Sequence, residues 1–373
     1  MSQLEIEDVT KIYGAKRDAV AAVRSLDLRI ERGDVVALLG SSGCGKTSTL
    51  RMIAGFESVT SGTIRVGGRD TGRLPPAGRN IAMAFEGYSL YPPMTVRENI
   101  GFALQSARVD AAEIRRRVDD MAAMLEIGNI LERYPSSISG GQQQRASLAR
   151  ALIREAGMHL LDEPMGQLEP QLRALLRGRI KHYLKERGCT VILVTHDQTE
   201  ANALADRIAV MEGGELQQYA TPAELRDRPA NLFTGTFIGE PPMNVIDAAP
   251  VLDGTRVRLV LGEGVSLDYP RDAFGEPVVR VLGEHPRVTL GVRPHAVRVA
   301  ESGAPARVVV NQWLGDQSHV AAAFAGATLV AVEHDRVSFA RGDTIRVAVA
   351  AEDLHLFDAT SGKALAHGAE VVA

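Results

Sequence analysis

The chain has 373 residues, 45% of them hydrophobic and 24% charged, which is the composition of a globular protein at a length where two domains are expected. A formal net charge of −4 excludes a whole-chain basic surface for nucleic acid or anionic membrane. Its two cysteines, Cys44 and Cys189, exclude a disulfide framework and fit a reducing compartment. The acidic start Met1–Glu7 does not read as a secretory signal, and no run reaches the roughly 18 apolar residues of a spanning helix, so membrane work would need other chains.

In chain order, Val35-Val36-Ala37-Leu38-Leu39 is an unbroken apolar run. Continuous rather than alternating hydrophobicity predicts a strand buried on both faces, as in a parallel sheet covered by helices. The run ends in Gly40-Ser41-Ser42-Gly43-Cys44-Gly45-Lys46-Thr47, a full match to G-x-x-x-x-G-K-[ST] between a strand and a helix. Glycines let backbone N–H groups cradle phosphate oxygens, and a helix opening near Lys46 turns its positive end to the same anion. Lys46 is expected to reach the β- and γ-phosphates of a nucleotide and the Thr47 hydroxyl to coordinate Mg²⁺. Ser48 completes the candidate phosphate site. Cys44 reads as a small filler rather than a reactive thiol.

Asp110–Leu131 interleaves arginines and acids at helical spacing and predicts part of a small helical lobe with a solvated face. Ser137-Ile138-Ser139-Gly140-Gly141-Gln142-Gln143-Gln144-Arg145 places a small-residue turn at the head of a helix, a second anion site. The helix continues with Ala146, Ala149, Leu152 and Ile153 at helical spacing. Met158-His159-Leu160-Leu161-Asp162-Glu163 is an apolar strand ending in two acids. Asp162 suits a Mg²⁺ shell, and Glu163 is positioned to orient or deprotonate an attacking water. In isolation the same two acids would equally cap a helix. Val191–Val194 is another buried strand, closed by Thr195-His196-Asp197. A lone histidine there is ordinarily structural; His196 stands beside a phosphate-binding set.

Near Gly239-Glu240-Pro241-Pro242 the texture changes, because a Pro-Pro pair resists helix and central strand alike. Beyond it Arg256–Leu259, Arg287–Leu290 and Thr344–Val347 alternate polar and apolar residues between turn signals, which predicts a small β-barrel or sandwich. The expected division is therefore 1–237 and 238–373, with the helical lobe at about 88–155.

Taken together, these residues resemble the ATP-binding-cassette ATPases of transporters, over about the first 235 positions. The match runs in order through the phosphate loop, the signature Ile138–Gln142, the acidic strand and His196. Tyr13 is similar to the family's adenine-stacking aromatic, although its apolar flank also suits a core residue. The resemblance implies an α/β P-loop cassette with an inserted helical lobe, plus a C-terminal all-β, OB-like barrel with a regulatory role. It implies ATP and Mg²⁺ as ligands, and a second cassette, identical or a paralogue, closing head to tail. Each phosphate loop then faces Ser139, Gly140, Gly141 and Gln142 of the other chain, Glu163 polarises water and His196 holds the γ-phosphate. Membrane permease subunits and an extracytoplasmic solute-binding protein are implied, with the chain peripheral at the cytoplasmic face of the cell membrane.

The branch is similar to importers of sugars, polyols and glycerol phosphate. The carrying segments are Phe85–Val96, Pro229–Phe233 with Phe237–Gly239, Pro242–Asn244, and Gly291-Val292-Arg293-Pro294. Polyamine, sulfate and iron importers share this architecture. The few aromatics and balanced charges beyond 240 argue against nucleic acid there. Two positions depart from the family: Glu86 stands where glutamine is usual and where Mg²⁺ coordination is expected, and Glu169 where aspartate is usual. These changes raise the alternative of a catalytically weak chain in an asymmetric cassette pair; the other reading is lineage variation without consequence.

Overall fold

A computed structural model describes residues 2–14, 18–87, 89–368 and 370. They form two compact units, residues 1–222 and 223–373. The first unit opens with β1 (Ser2–Tyr13), β2 (Val20–Glu31), β3 (Val35–Gly40), α1 (Lys46–Ala54), β4 (Ser61–Val66), β5 (Arg69–Asp70) and β6 (Ile81–Ala84). It continues through α2 (Val96–Ser106), α3 (Ala111–Met124), α4 (Gly140–Leu152), β7 (Met158–Asp162), α5 (Pro170–Glu186), β8 (Val191–Val194), α6 (Gln198–Leu204), β9 (Arg207–Glu212) and β10 (Glu215–Ala220).

These strands make two sheets. One is antiparallel in the order β2-β1-β4-β5, and the other is six-stranded in the order β10-β9-β3-β8-β7-β6. In the second, β9, β3, β8, β7 and β6 pair in parallel and only the β9–β10 hairpin is antiparallel. Every residue of β3, β7 and β8 is buried, as their unbroken apolar runs predict for strands covered on both faces. Parallel pairing brings the carboxyl ends of β3, β7 and β8 to one edge, so the segments after Gly40, Asp162 and Val194 emerge together.

The helical lobe has local causes. Thr95 caps α2 in a reciprocal box with Glu98, and Asp110 caps α3 through the Ala112 and Glu113 amides. Fully buried Asn99 takes the Tyr91 N–H and donates to the Tyr91, Met94 and Thr95 carbonyls, pinning the segment before α2. Tyr88, within the Phe85–Val96 stretch singled out above, lies outside the described residues.

The division between units falls at α7 (Pro222–Asp227), and α8 (Leu232–Phe237) follows. Then come β11 (Asn244–Leu252), β12 (Arg256–Val260), β13 (Ser266–Pro270), α9 (Glu276–Glu284), β14 (Val288–Val292), β15 (Arg298–Ala300) and β16 (Ala304–Trp313). The last are β17 (Ser318–Phe324), β18 (Ala327–Glu333), β19 (Thr344–Ala348), β20 (Leu354–Asp358) and β21 (Ala364–His367). They form antiparallel sheets β13-β12-β11-β14-β20-β21 and β15-β19-β16-β17-β18, which share one core including Val257, Leu290, Val320, Val347 and Leu356. The all-β expectation holds. At β14 the alternation read from Arg287–Leu290 is overridden: all five positions are buried, because Val288, Leu290 and Val292 face the core while Met243, Phe357 and His355 cover Gly291 on the other face. Thr289 is accommodated there by donating to Asp247 at 3.0 Å.

Candidate functional site

The phosphate loop follows β3, and its glycines are required by space. A Cβ at Gly40 would lie 2.1 Å from the Met211 carbonyl oxygen, and one at Gly45 2.3 Å from that of Ala22. Gly43 and Gly45 have φ of 80° and 103°, open to glycine at little steric cost. Gly45 leads into α1 without any side-chain cap. The first-turn amides of α1 and its positive dipole end therefore face the loop with no side-chain oxygen capping them among the described residues, which fits a bound phosphate. The Lys46 ammonium, 9% exposed, donates to the Gly40 and Ser41 carbonyls at 2.8 Å each. Ser41 donates to Glu212 at the end of β9. Ser42 and Thr47 are exposed, and Cys44 is buried. Burial pushes the Cys44 thiol up, against the pull of Lys46, so it is not a ready thiolate.

Tyr13 ends β1, with its hydroxyl 3.3 Å from the Ser48 hydroxyl in the first turn of α1. The Lys11 ammonium lies 4.7 Å from its ring centroid. The aromatic is thus half-buried beside the loop rather than inside the core.

At the end of β7, Asp162 is 6% exposed. Burial, then the charges of Glu86 and Glu163, push its carboxyl up to about 6, against Arg51 and Lys46. Among the described residues no group of three or more His, Cys, Asp or Glu is arranged to hold a metal by itself. That suits Mg²⁺, which usually takes one or two carboxylates and completes its shell with phosphate and water. A carboxyl whose proton affinity is raised by burial and by the charges of Glu86 and Glu163 fits a site that a cation would relieve.

Glu163 adopts φ 48°, the left-handed region that non-glycine residues seldom enter. Its N–H is held by the Val194 carbonyl at 2.9 Å, and its carbonyl accepts from Gln144 at 2.7 Å. His196 Nδ1 lies 2.9 Å from Glu163 Oε2. The contact is an ion pair when the imidazole is protonated; among the described residues Oε2, which is buried, has no hydrogen-bond partner. The two candidate catalytic residues are together; the Glu163 side chain is 17% exposed and that of His196 74%.

Ser139 caps α4 in a reciprocal box with Gln142, at 3.3 and 3.0 Å. Gly140 and Gly141 begin the helix, and a Cβ at Gly141 would lie 3.2 Å from the Gln167 carbonyl. No hydrogen bond of Ser139 or Gln142 reaches the phosphate loop of the same chain, among the described residues. Glu169 caps no amide of α5 with its side chain.

Three residues at the site had no role assigned from sequence. Buried Gln144 clamps the Glu163 carbonyl and receives the Gln167 N–H at 2.9 Å. Its position one turn into the signature helix was the only signal. Glu200, 1% exposed, accepts from Thr195 at 3.0 Å, and burial pushes its carboxyl up to about 7. The Asp197-x-x-Glu200 spacing of a helix start was legible, but its glutamate turns to Thr195 instead of the cap. Arg173 joins Asp197 at 3.0 Å to the Leu168 carbonyl at 3.1 Å.

Residues 23–166 match the ABC transporter family and residues 290–357 the TOBE domain. The sn-glycerol-3-phosphate import ATP-binding protein UgpC of Cereibacter sphaeroides is 41% identical, over 98% of this chain and all of its own length. The protein of the same name from Chromobacterium violaceum is 40% identical over 99% of this chain and 98% of its own. Among solved structures, the dimeric post-hydrolysis state of the ATP-binding cassette MJ0796 bound to ADP and Pi is 28% identical with a TM-score of 0.55. It covers 58% of this chain and 98% of its own. The chain belongs to the ATP-binding proteins of ABC transporters, and its first unit is an ATPase cassette that binds ATP.

Proposed function

We propose that this chain is the ATP-hydrolysing subunit of an importer for a sugar, polyol or polyol phosphate, working with permease subunits and a solute-binding protein at the inner face of the cell membrane. The carrying observation is the convergence of the uncapped α1 amides, Asp162 and the Glu163–His196 pair at the carboxyl edge of one parallel sheet. The importer branch rests on the two glycerol-phosphate import relatives. No helix of the described residues is long and apolar enough to cross a membrane, which is consistent with docking onto permeases.

In this reading the Gly40–Thr47 amides and Lys46 bind the phosphates of ATP, with Ser41, Ser42, Gly43, Cys44 and Ser48 lining the cradle and Tyr13 against the adenine. Thr47, Asp162 and Glu86 would hold Mg²⁺, which neutralises phosphate charge when bound. Glu163 orients and deprotonates water. His196, already beside Glu163, contacts the terminal phosphate. Ser139–Gln142 offers the head of α4 to the nucleotide of a second cassette, as in the dimeric MJ0796 cassette.

The permease site in this reading is a cavity of about 690 Å³ lined by Phe56, Phe85, Tyr91 and Phe102. Phe56, Tyr91 and Phe102 remain 53%, 43% and 39% exposed, an aromatic groove of the kind that accepts an apolar helix face. Mg²⁺-dependent ATP hydrolysis by the wild type beside Glu163→Gln tests the assignment. Turnover lost in the variant supports it; ATP binding without turnover in both, even with permeases present, refutes it. The charge of Glu86 beside Asp162 motivates a second reading, a weakly hydrolysing chain in an asymmetric pair. A several-fold rise in turnover for Glu86→Gln would favour that reading.

A further inference from the structure

A second cavity, of about 460 Å³, opens at the amino ends of β6, β7 and β8, the opposite edge of the sheet from the phosphate loop. Arg32, Arg154 and Arg187 line it, and its one carboxylate, Glu155, is engaged by Arg117 at 2.5 Å. Arg154 uses one N–H on the Ile81 carbonyl at 2.9 Å, and Arg187 lies 5.4 Å from the Tyr183 ring centroid. Among the described residues, none of these arginines has a carboxylate partner within 4.0 Å.

His159, at the start of β7, also lines the cavity and is 3% exposed. Its Nε2 is 3.2 Å from the Arg154 carbonyl. A carbonyl oxygen only accepts, so Nε2 carries the proton and Nδ1 keeps a lone pair. That Nδ1 is buried with no partner among the described residues. Burial holds the imidazole below its ordinary pKa and therefore neutral at pH 7. A buried acceptor without a donor is an expensive feature for a fold to keep, and here it belongs to a residue that lines the same cavity as three arginines.

We propose that this cavity binds a small phosphate-bearing anion that brings its own hydroxyl, hydrogen phosphate being the simplest, and that its occupancy modulates ATP turnover. The arginines take the anionic oxygens, and the hydroxyl donates to His159 Nδ1. The route to the ATPase site is short. α4 begins at the signature and ends two residues before Arg154; β7, with His159 as its second residue, runs to Asp162; α5 begins after Glu169 and ends just before Arg187. An anion bridging these ends would tie together the elements that carry the signature, the acids and the loop between them.

The test uses the full chain with Mg²⁺ and a non-hydrolysable ATP analogue, so that the phosphate loop is filled. Inorganic phosphate and sulfate are titrated calorimetrically at pH 7.5 and constant ionic strength. Sulfate matches phosphate in size and charge but carries no proton at that pH, so phosphate is expected to bind about tenfold tighter or better. Arg187→Gln should weaken phosphate by about tenfold, and His159→Phe should abolish the preference over sulfate. Arg32→Gln, at an exposed position, serves if His159→Phe does not fold. Equal affinity for the two anions, or phosphate binding untouched by the arginine substitutions, overturns the site. In steady-state hydrolysis, added phosphate should change wild-type turnover more than that of Arg187→Gln, since product inhibition at the phosphate loop is common to both. An equal response overturns the modulating role.

Discussion

At Glu163 a carboxylate is aimed by backbone, not only by its rotamer. The left-handed φ is held by the Val194 carbonyl on one side and Gln144 on the other, so the residue cannot relax without breaking both. Glu163→Gln keeps that geometry and removes the base. Turnover is expected to fall by about 10²-fold or more while nucleotide affinity, read by fluorescent-analogue titration, stays within a few-fold. Glu200 gives a pH prediction. Its folded pKa, raised to about 7, lies above the roughly 4.3 of an unfolded glutamate. The folded state therefore binds the proton more tightly, and the group's contribution is fully present below about pH 4 and lost as pH rises through about 7. Glu200→Gln should accordingly be more stable than wild type at pH 8, by on the order of 2 kcal/mol, and about equal at pH 5. Urea unfolding at the two pH values measures this; a stability difference independent of pH would contradict the buried-carboxyl account.

At the scale of elements, α4, β7 and α5 are joined at the site by Gln144, which contacts both Glu163 and Gln167. Gln144→Ala removes two hydrogen bonds at a 5% exposed position and leaves a carbonyl and an amide to find water. A loss of about 1–3 kcal/mol is expected, with kcat falling more than ATP affinity because the acid, not the phosphate loop, loses its support. The aromatic groove is a different kind of surface. Tyr91 and Phe102, 5.0 Å apart, line a groove whose lining, among the described residues, includes none of the phosphate loop. Phe102→Asp should therefore leave basal ATP hydrolysis near wild type and remove its stimulation by co-reconstituted permeases.

At the scale of the molecule, each unit has a core of its own, and the second is tied internally by Arg293. This half-buried guanidinium donates to the carbonyls of Arg226, Gly235 and Ile238, and partial burial lowers its pKa to about 10. Arg293→Met strands those carbonyls and should make the 226–238 segment cleavable by protease at concentrations the wild type resists. The first unit carries a phosphate loop and a signature that make no hydrogen bond to each other among the described residues. Glu163→Gln with ATP should then shift from monomer to dimer in size-exclusion chromatography, and Ser139→Arg, which blocks the head of α4, should abolish that shift.

The signature, Asp162, Glu163 and His196 became candidates only through their order along the chain and the family resemblance, since two acids after a strand or a lone histidine are ambiguous alone. The phosphate loop was legible without coordinates, because glycines before a helix are a local pattern. The buried parallel strands were legible for the same reason, since burial on both faces writes itself as an unbroken apolar run. Tertiary structure alone decided the rest. The raised proton affinity of Asp162 needs Glu86, which is 76 positions away in sequence, brought near by the adjacency of β6 and β7. The clamp of Gln144, the turn of Glu200 toward Thr195 and the full burial of β14 likewise depend on what packs against them. The basic cavity at the amino edge gathers Arg32, Arg154, His159 and Arg187 from separate elements, and no local pattern marks side chains that meet only because parallel strands begin at the same edge.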